Sequence, residues 1–77
     1  MRLYVGVTDK EYDMELPDER YRMRQDLSNE GFFNIIENKK FYPMFDEESP
    51  KKTDLKDLLH AMQFFQLTVQ KADVTKN

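Results

Sequence analysis

The stretch Arg2-Leu3-Tyr4-Val5-Gly6-Val7-Thr8-Asp9-Lys10-Glu11-Tyr12-Asp13-Met14-Glu15-Leu16 decides how the chain is read. Leu3, Val5 and Val7 alternate with Arg2, Tyr4 and Gly6, the period-2 pattern of a strand with one buried face. Beyond Thr8-Asp9-Lys10-Glu11 the alternation resumes, with Tyr12, Met14 and Leu16 set against Asp13 and Glu15. A loop at those four residues pairs Val7 with Tyr12, Val5 with Met14 and Leu3 with Leu16, so that all six share one face of a β-hairpin. A competing reading makes Thr8 and Glu11 the capping box of a short helix. That helix must stop near Leu16, because a residue before proline avoids the helical region.

Outward from this stretch, Pro17 suits the first position of a helix, and Asp18 and Glu19 suit its positive end. Gly31 can take the left-handed conformation that closes a helix. Met23 and Leu27 form a thin apolar stripe, and Arg22 stands four residues from both Asp18 and Asp26, so the opposite face reads as solvated ion pairs. Residues 32–45 read as a second hairpin turning at Asn38-Lys39. Phe32, Ile36, Phe41 and Phe45 then point one way, and Phe33, Ile35, Tyr42 and Met44 the other. Pro43 lacks an N–H for the ladder and places its strand at an edge or end. Residues 46–52, acidic then basic around Pro50, read as an exposed connector. A long helix follows, capped by Ser49 or Thr53 and reaching about Ala72, with Leu55, Leu58, Met62, Phe65 and Val69 on its core stripe and Leu59 beside it. Residues 73–77 are expected to fray. The expectation is an α+β fold in the order β-β-α-β-β-α, an antiparallel sheet of two hairpins with both helices on one face.

At 77 residues the chain has the size of one domain, residues 1–77. No apolar run approaches the ~20 residues that cross a bilayer, and no apolar leader marks the start, so a cytoplasmic setting is the default expectation. Without cysteine there is neither a disulfide framework nor a thiolate metal site. Twelve basic against fifteen acidic residues give a net charge of −3, which weighs against direct binding to nucleic acid. The Arg20, Arg22 and Arg24 cluster around Tyr21 diverges on a helix and reads as an ion-paired, solvated face.

No catalytic, cofactor or metal constellation emerges. His60 is the single histidine, with no second group fixed beside it, and neither zinc nor calcium spacing is present. Glu11, Asp13 and Glu15 fall along one strand at about 6.6–6.8 Å intervals. That spacing can imitate phosphates toward a basic groove, or simply solubilise. The stronger signal is surplus apolar surface: Phe32, Phe33, Tyr42 and Met44 on the second hairpin, and Phe64 and Leu67 opposite the stripe of the long helix. These residues, with the three acids, are the expected contacts with a protein partner, one with a basic groove or a second copy. A short, acidic, aromatic-rich chain without site chemistry has the general look of phage or mobile-element proteins that inhibit a host factor in the host cytoplasm, an association rather than a derivation. The alternatives are a small nuclease or toxin-like enzyme using His60, and a homo-oligomeric structural protein.

Overall fold

The structure is a computed structural model that describes residues 1–37, 39, 41–46 and 50–71. Its elements are β1 (Arg2–Val5), β2 (Lys10–Asp13), α1 (Pro17–Asn29), α2 (Phe33–Ile36), α3 (Tyr42–Asp46), α4 (Lys52–Phe64) and β3 (Val69–Lys71). The strands form an antiparallel sheet in the order β2-β1-β3. Leu3, Val5, Tyr12 and Val69 are buried on the helix side, whereas Arg2, Glu11 and Gln70 face outward, so the α+β layering follows the alternation in the sequence.

The first hairpin forms in a different register. Leu3 pairs with Tyr12 instead of Leu16, and Val5 with Lys10 instead of Met14. Gly6 to Asp9 make the turn: the Val5 carbonyl accepts from the Thr8 and Asp9 amides at 3.2 and 2.8 Å, and Asp9 takes φ 56°, a left-handed value that aspartate tolerates. The slip is even, so Leu3 and Tyr12 keep a common face. It moves Val7 into the turn and Leu16 out of the sheet, where Leu16 becomes the half-exposed residue ahead of α1. The competing short helix does not form. Gly6 donates to the Thr68 carbonyl, and a Cβ placed on it would lie 2.5 Å from the Thr68 Cβ, so only glycine fits this approach.

Helix α1 starts at Pro17 with Asp18 and Glu19 in its first turn. It closes with Gly31 at φ 91°, its amide donating to the Ser28 carbonyl while the Phe32 amide donates to that of Leu27, a Schellman motif. The arginine face differs from the expectation. Arg20 is fully buried with Met23 and Leu27. Arg22 pairs with Glu19 at 2.7 Å, while Asp26 is held by Lys10 and by the Tyr12 hydroxyl.

The second hairpin is absent from the described residues, and α2 and α3 stand in its place. Phe41, Met44 and Phe45 are buried at the i, i+3, i+4 spacing of a helix, and the adjacent Ile35 and Ile36 are both buried, which a strand with one covered face cannot achieve. Pro43, expected at a strand edge, occupies the first turn of α3, where amides lack intrahelical partners anyway.

Helix α4 stops at Phe64 instead of near Ala72. Gln66 turns left-handed at φ 65°, its amide donating to the Gln63 carbonyl and that of Leu67 to Met62, so the helix closes in the same motif as α1 without a glycine. Beyond it Leu67, Val69 and Lys71 alternate with Thr68 and Gln70, and β3 adds to the sheet beside β1. Of the expected connector, Asp46 closes α3 and Lys52 opens α4, while residues 47–49, like the expected frayed tail at 73–77, lie outside the described residues.

Candidate interaction surface

The acidic row sits on β2, an edge strand. Glu11 and Asp13 share its outer face, and Glu15 lies two residues past Asp13. Local cations meet these carboxylates. Arg2 reaches Glu11 at 3.2 Å, and the amino group of Met1 lies 2.8 Å from Glu15 and 3.9 Å from Asp13. The open edge is covered as well: Arg22 donates to the Glu11 carbonyl at 2.8 Å and the Asp13 amide donates to Glu19 at 3.4 Å, which blunts addition of another strand there.

At this β2–α1 joint the Arg22 guanidinium lies over the Tyr12 ring, 4.6 Å from its centre. Burial, followed by the bond to the Asp26 carboxylate, pushes the Tyr12 phenol up to about 12 against an opposing bond with Thr8. The hydrogen bond from Arg22 holds the Glu19 carboxyl below its usual range.

The expected aromatic face does not assemble. Met44 is buried in the core, and Phe32 is half-buried against it. Tyr42 lies beneath the Arg24 guanidinium, 4.7 Å from the ring centre, and its hydroxyl accepts from Arg24 at 2.7 Å. Only Phe33 remains open, at 54% exposure. On the far side Leu67 is 7% exposed and belongs to the core, because the chain has already left the helix there. Phe64 stands out at 82%, the most exposed of the large apolar side chains described, edge-on to Phe65 at 5.7 Å. His60, one turn earlier, is also exposed. Among the described residues no group of three or more His, Cys, Asp or Glu side chains could hold a metal ion, and no helix is long and apolar enough to cross a membrane.

Two features escaped the sequence reading. One is the burial of Arg20. The other is a groove of about 660 Å³ flanked by Lys52, Leu55, Lys56 and Leu59, which share one face of α4. Met1, Glu15, Pro50 and Lys71 also line it. Lys71 follows Val69 on the helix side of β3, and Met1 precedes Leu3 on the same side of the sheet, so the groove opens at the end of the sheet where Leu3 pairs with Lys71. The i, i+3, i+4, i+7 spacing of the four α4 residues is present in the sequence, but a connector over residues 46–52 separates Lys52 from the helix, and Leu59 reads as the flank of the core stripe.

No protein-family model matches this chain, and comparison with curated proteins and with solved structures gives no significant match.

Proposed function

We propose that the protein is a small binding module that docks on another protein through the surface of α4 around Phe64. The exposure of Phe64 carries this reading. A phenylalanine at 82% exposure forgoes the ~1.5–3 kcal/mol that burial of such a side chain provides, and a contact would recover it. Aromatic side chains are also enriched as anchors at interfaces. The neighbouring Phe65 ring, partly buried against the core, fixes the base from which Phe64 projects. Occluding the partner's working surface, as inhibitors of the phage or mobile-element kind do, is the form of action this reading favours over catalysis at His60.

The experiment compares Phe64→Ser with wild type by affinity co-purification and mass spectrometry, with circular dichroism as the check on folding. Specific partners should be lost with Phe64→Ser while the spectrum is unchanged. Leu67→Ser should instead destabilise the fold by about 2–4 kcal/mol, because its side chain is in the core. Retention of every partner by Phe64→Ser would reject this surface.

A further inference from the structure

Among the described arginines and lysines, Arg2, Lys10, Arg22 and Arg24 each pair with a carboxylate of the chain, at 3.2, 3.3, 2.7 and 3.4 Å. Arg20 is buried on the Met14 carbonyl, and Lys39, Lys51, Lys52, Lys56 and Lys71 are exposed without a carboxylate partner among those residues. Of these exposed lysines, Lys52, Lys56 and Lys71 line the same groove. Glu15 at its rim does not cancel them, since the Met1 amino group already engages it at 2.8 Å. A chain with a net charge of −3 thus gathers three lysines against one carboxylate in the lining of one groove, a local excess of positive charge that favours an anionic ligand there. Leu55, Leu59 and Met1 supply the apolar part of the lining, with Leu55 and Leu59 one helical turn apart, about 5–6 Å between Cβ atoms.

From this geometry we infer that the groove between α4 and the Met1–Lys71 end of the sheet receives an acidic peptide segment of a partner protein. The segment's carboxylates meet Lys52, Lys56 and Lys71, and an aliphatic or aromatic side chain seats against the partly buried Leu59 and Met1, above the core residue Leu55. This inference rests on the binding-module reading and specifies the partner's chemistry, which is the reverse of the basic groove that the acidic residues alone suggested. The volume lies within the about 300–1,000 Å³ of ordinary ligand clefts. No aromatic ring lines the groove among the described residues, so it lacks the stacking platform that single-stranded nucleic acid uses.

The test is fluorescence anisotropy with a labelled short peptide of glutamates carrying two leucines, titrated with the full chain. The controls are the same peptide with serine for leucine, a lysine-for-glutamate version, and a single-stranded oligonucleotide. The acidic leucine peptide should bind best, and its affinity should fall as salt rises from about 50 to about 300 mM. Lys52→Glu/Lys56→Glu/Lys71→Glu should weaken it by about tenfold or more through like-charge repulsion. Lys52→Gln/Lys56→Gln/Lys71→Gln, with circular dichroism, provides the same readout should the reversal disturb folding. Phe64→Ser should bind the peptide as wild type does. Equal binding by the lysine variants, preference for the serine peptide or the oligonucleotide, absence of binding, or loss of binding in Phe64→Ser would each overturn the groove assignment. A self-association that grows with protein concentration and displaces the peptide would do so in favour of a second copy. Because the co-purification experiment depends on Phe64 and this one on the lysines, failure of the Phe64 surface and failure of the groove assignment are told apart.

Discussion

Arg20 donates from its Nη1 to the carbonyl oxygen of Met14 at 2.8 Å, and this bond joins the first turns of α1 to the end of the hairpin. The guanidinium is completely buried, and its Nε and Nη2 have no hydrogen-bond partner among the described residues. A buried cation with most of its donors unmet loses its hydration without a matching return, so one good bond does not make it stabilising.

Arg20→Met keeps the length and apolar stem of the side chain while removing the charge. Its unfolding free energy in urea should exceed that of wild type by about 1–2 kcal/mol, the loss of the Met14 bond being smaller than the relief of the unmet donors. Arg20→Ala should be less stable than wild type by about 2–4 kcal/mol, because it adds a cavity. A lower denaturation midpoint for Arg20→Met would show that the buried charge has a stabilising partner.

Gly6→Ala should lower stability by about 1–3 kcal/mol, since the new methyl group would meet the Thr68 Cβ at 2.5 Å and push β3 away from β1. Thr68→Gly in the same chain removes the colliding atoms. Thermal unfolding of the double variant should therefore recover part of the loss, a non-additivity expected of touching residues.

Gln66 closes α4 in a left-handed conformation, at φ 65°, without the freedom of glycine. Gln66→Gly should raise stability by about 0.5–1 kcal/mol, the steric relief outweighing the added entropy of the unfolded chain. Calorimetric unfolding checks the sign. Gly31→Ala makes the converse comparison: nothing lies near the added Cβ, but φ 91° strains it, so its melting temperature should fall.

The pH dependence follows from Tyr12 and Glu19. The Tyr12 phenol is raised from 10.0 to about 12, so above pH 10 the unfolded chain gives up this proton while the folded chain retains it. Its contribution is fully present below pH 10 and is lost as pH rises toward 12. The Glu19 carboxyl is lowered from 4.5, so its contribution is present above that value and is lost as pH falls through the folded-state value. Tyr12→Phe should flatten the alkaline limb of a stability–pH profile, and Glu19→Gln the acid limb. Ultraviolet titration of tyrosinate in wild type should show Tyr12 ionising late alongside Tyr4, whose phenol the hydrogen bond to Asp9 also raises, and Tyr12→Phe should remove one of the two.

How far the fold was legible depends on whether one local pattern had a single physical solution. The alternation from Leu3 to Met14 allowed two strands whatever the register, because an even slip leaves the same side chains inward. The ends of α1 were legible because Pro17 and Gly31 each suit one place in a helix. Residues 32–45 were not. Apolar side chains on both faces of the expected hairpin read as surplus surface, yet Phe41, Met44 and Phe45 also satisfy a helical spacing that buries all three. Phe65 and Val69 suited a continuing helix equally well, until β1 offered Val69 a partner in Val5.

The candidate surfaces divide along the same line. From the sequence alone came the α+β class, the first hairpin, both ends of α1 and the position of Phe64 away from the core stripe, since each follows from the period of neighbouring residues along the chain. The tertiary structure decided the burial of Arg20, Met44 and Leu67 and the convergence of Lys52, Lys56 and Lys71 on one groove. Burial and charge pairing depend on which distant segment lies opposite a side chain, and Lys71 meets the lysines of α4 only because β3 turns back to pair with β1.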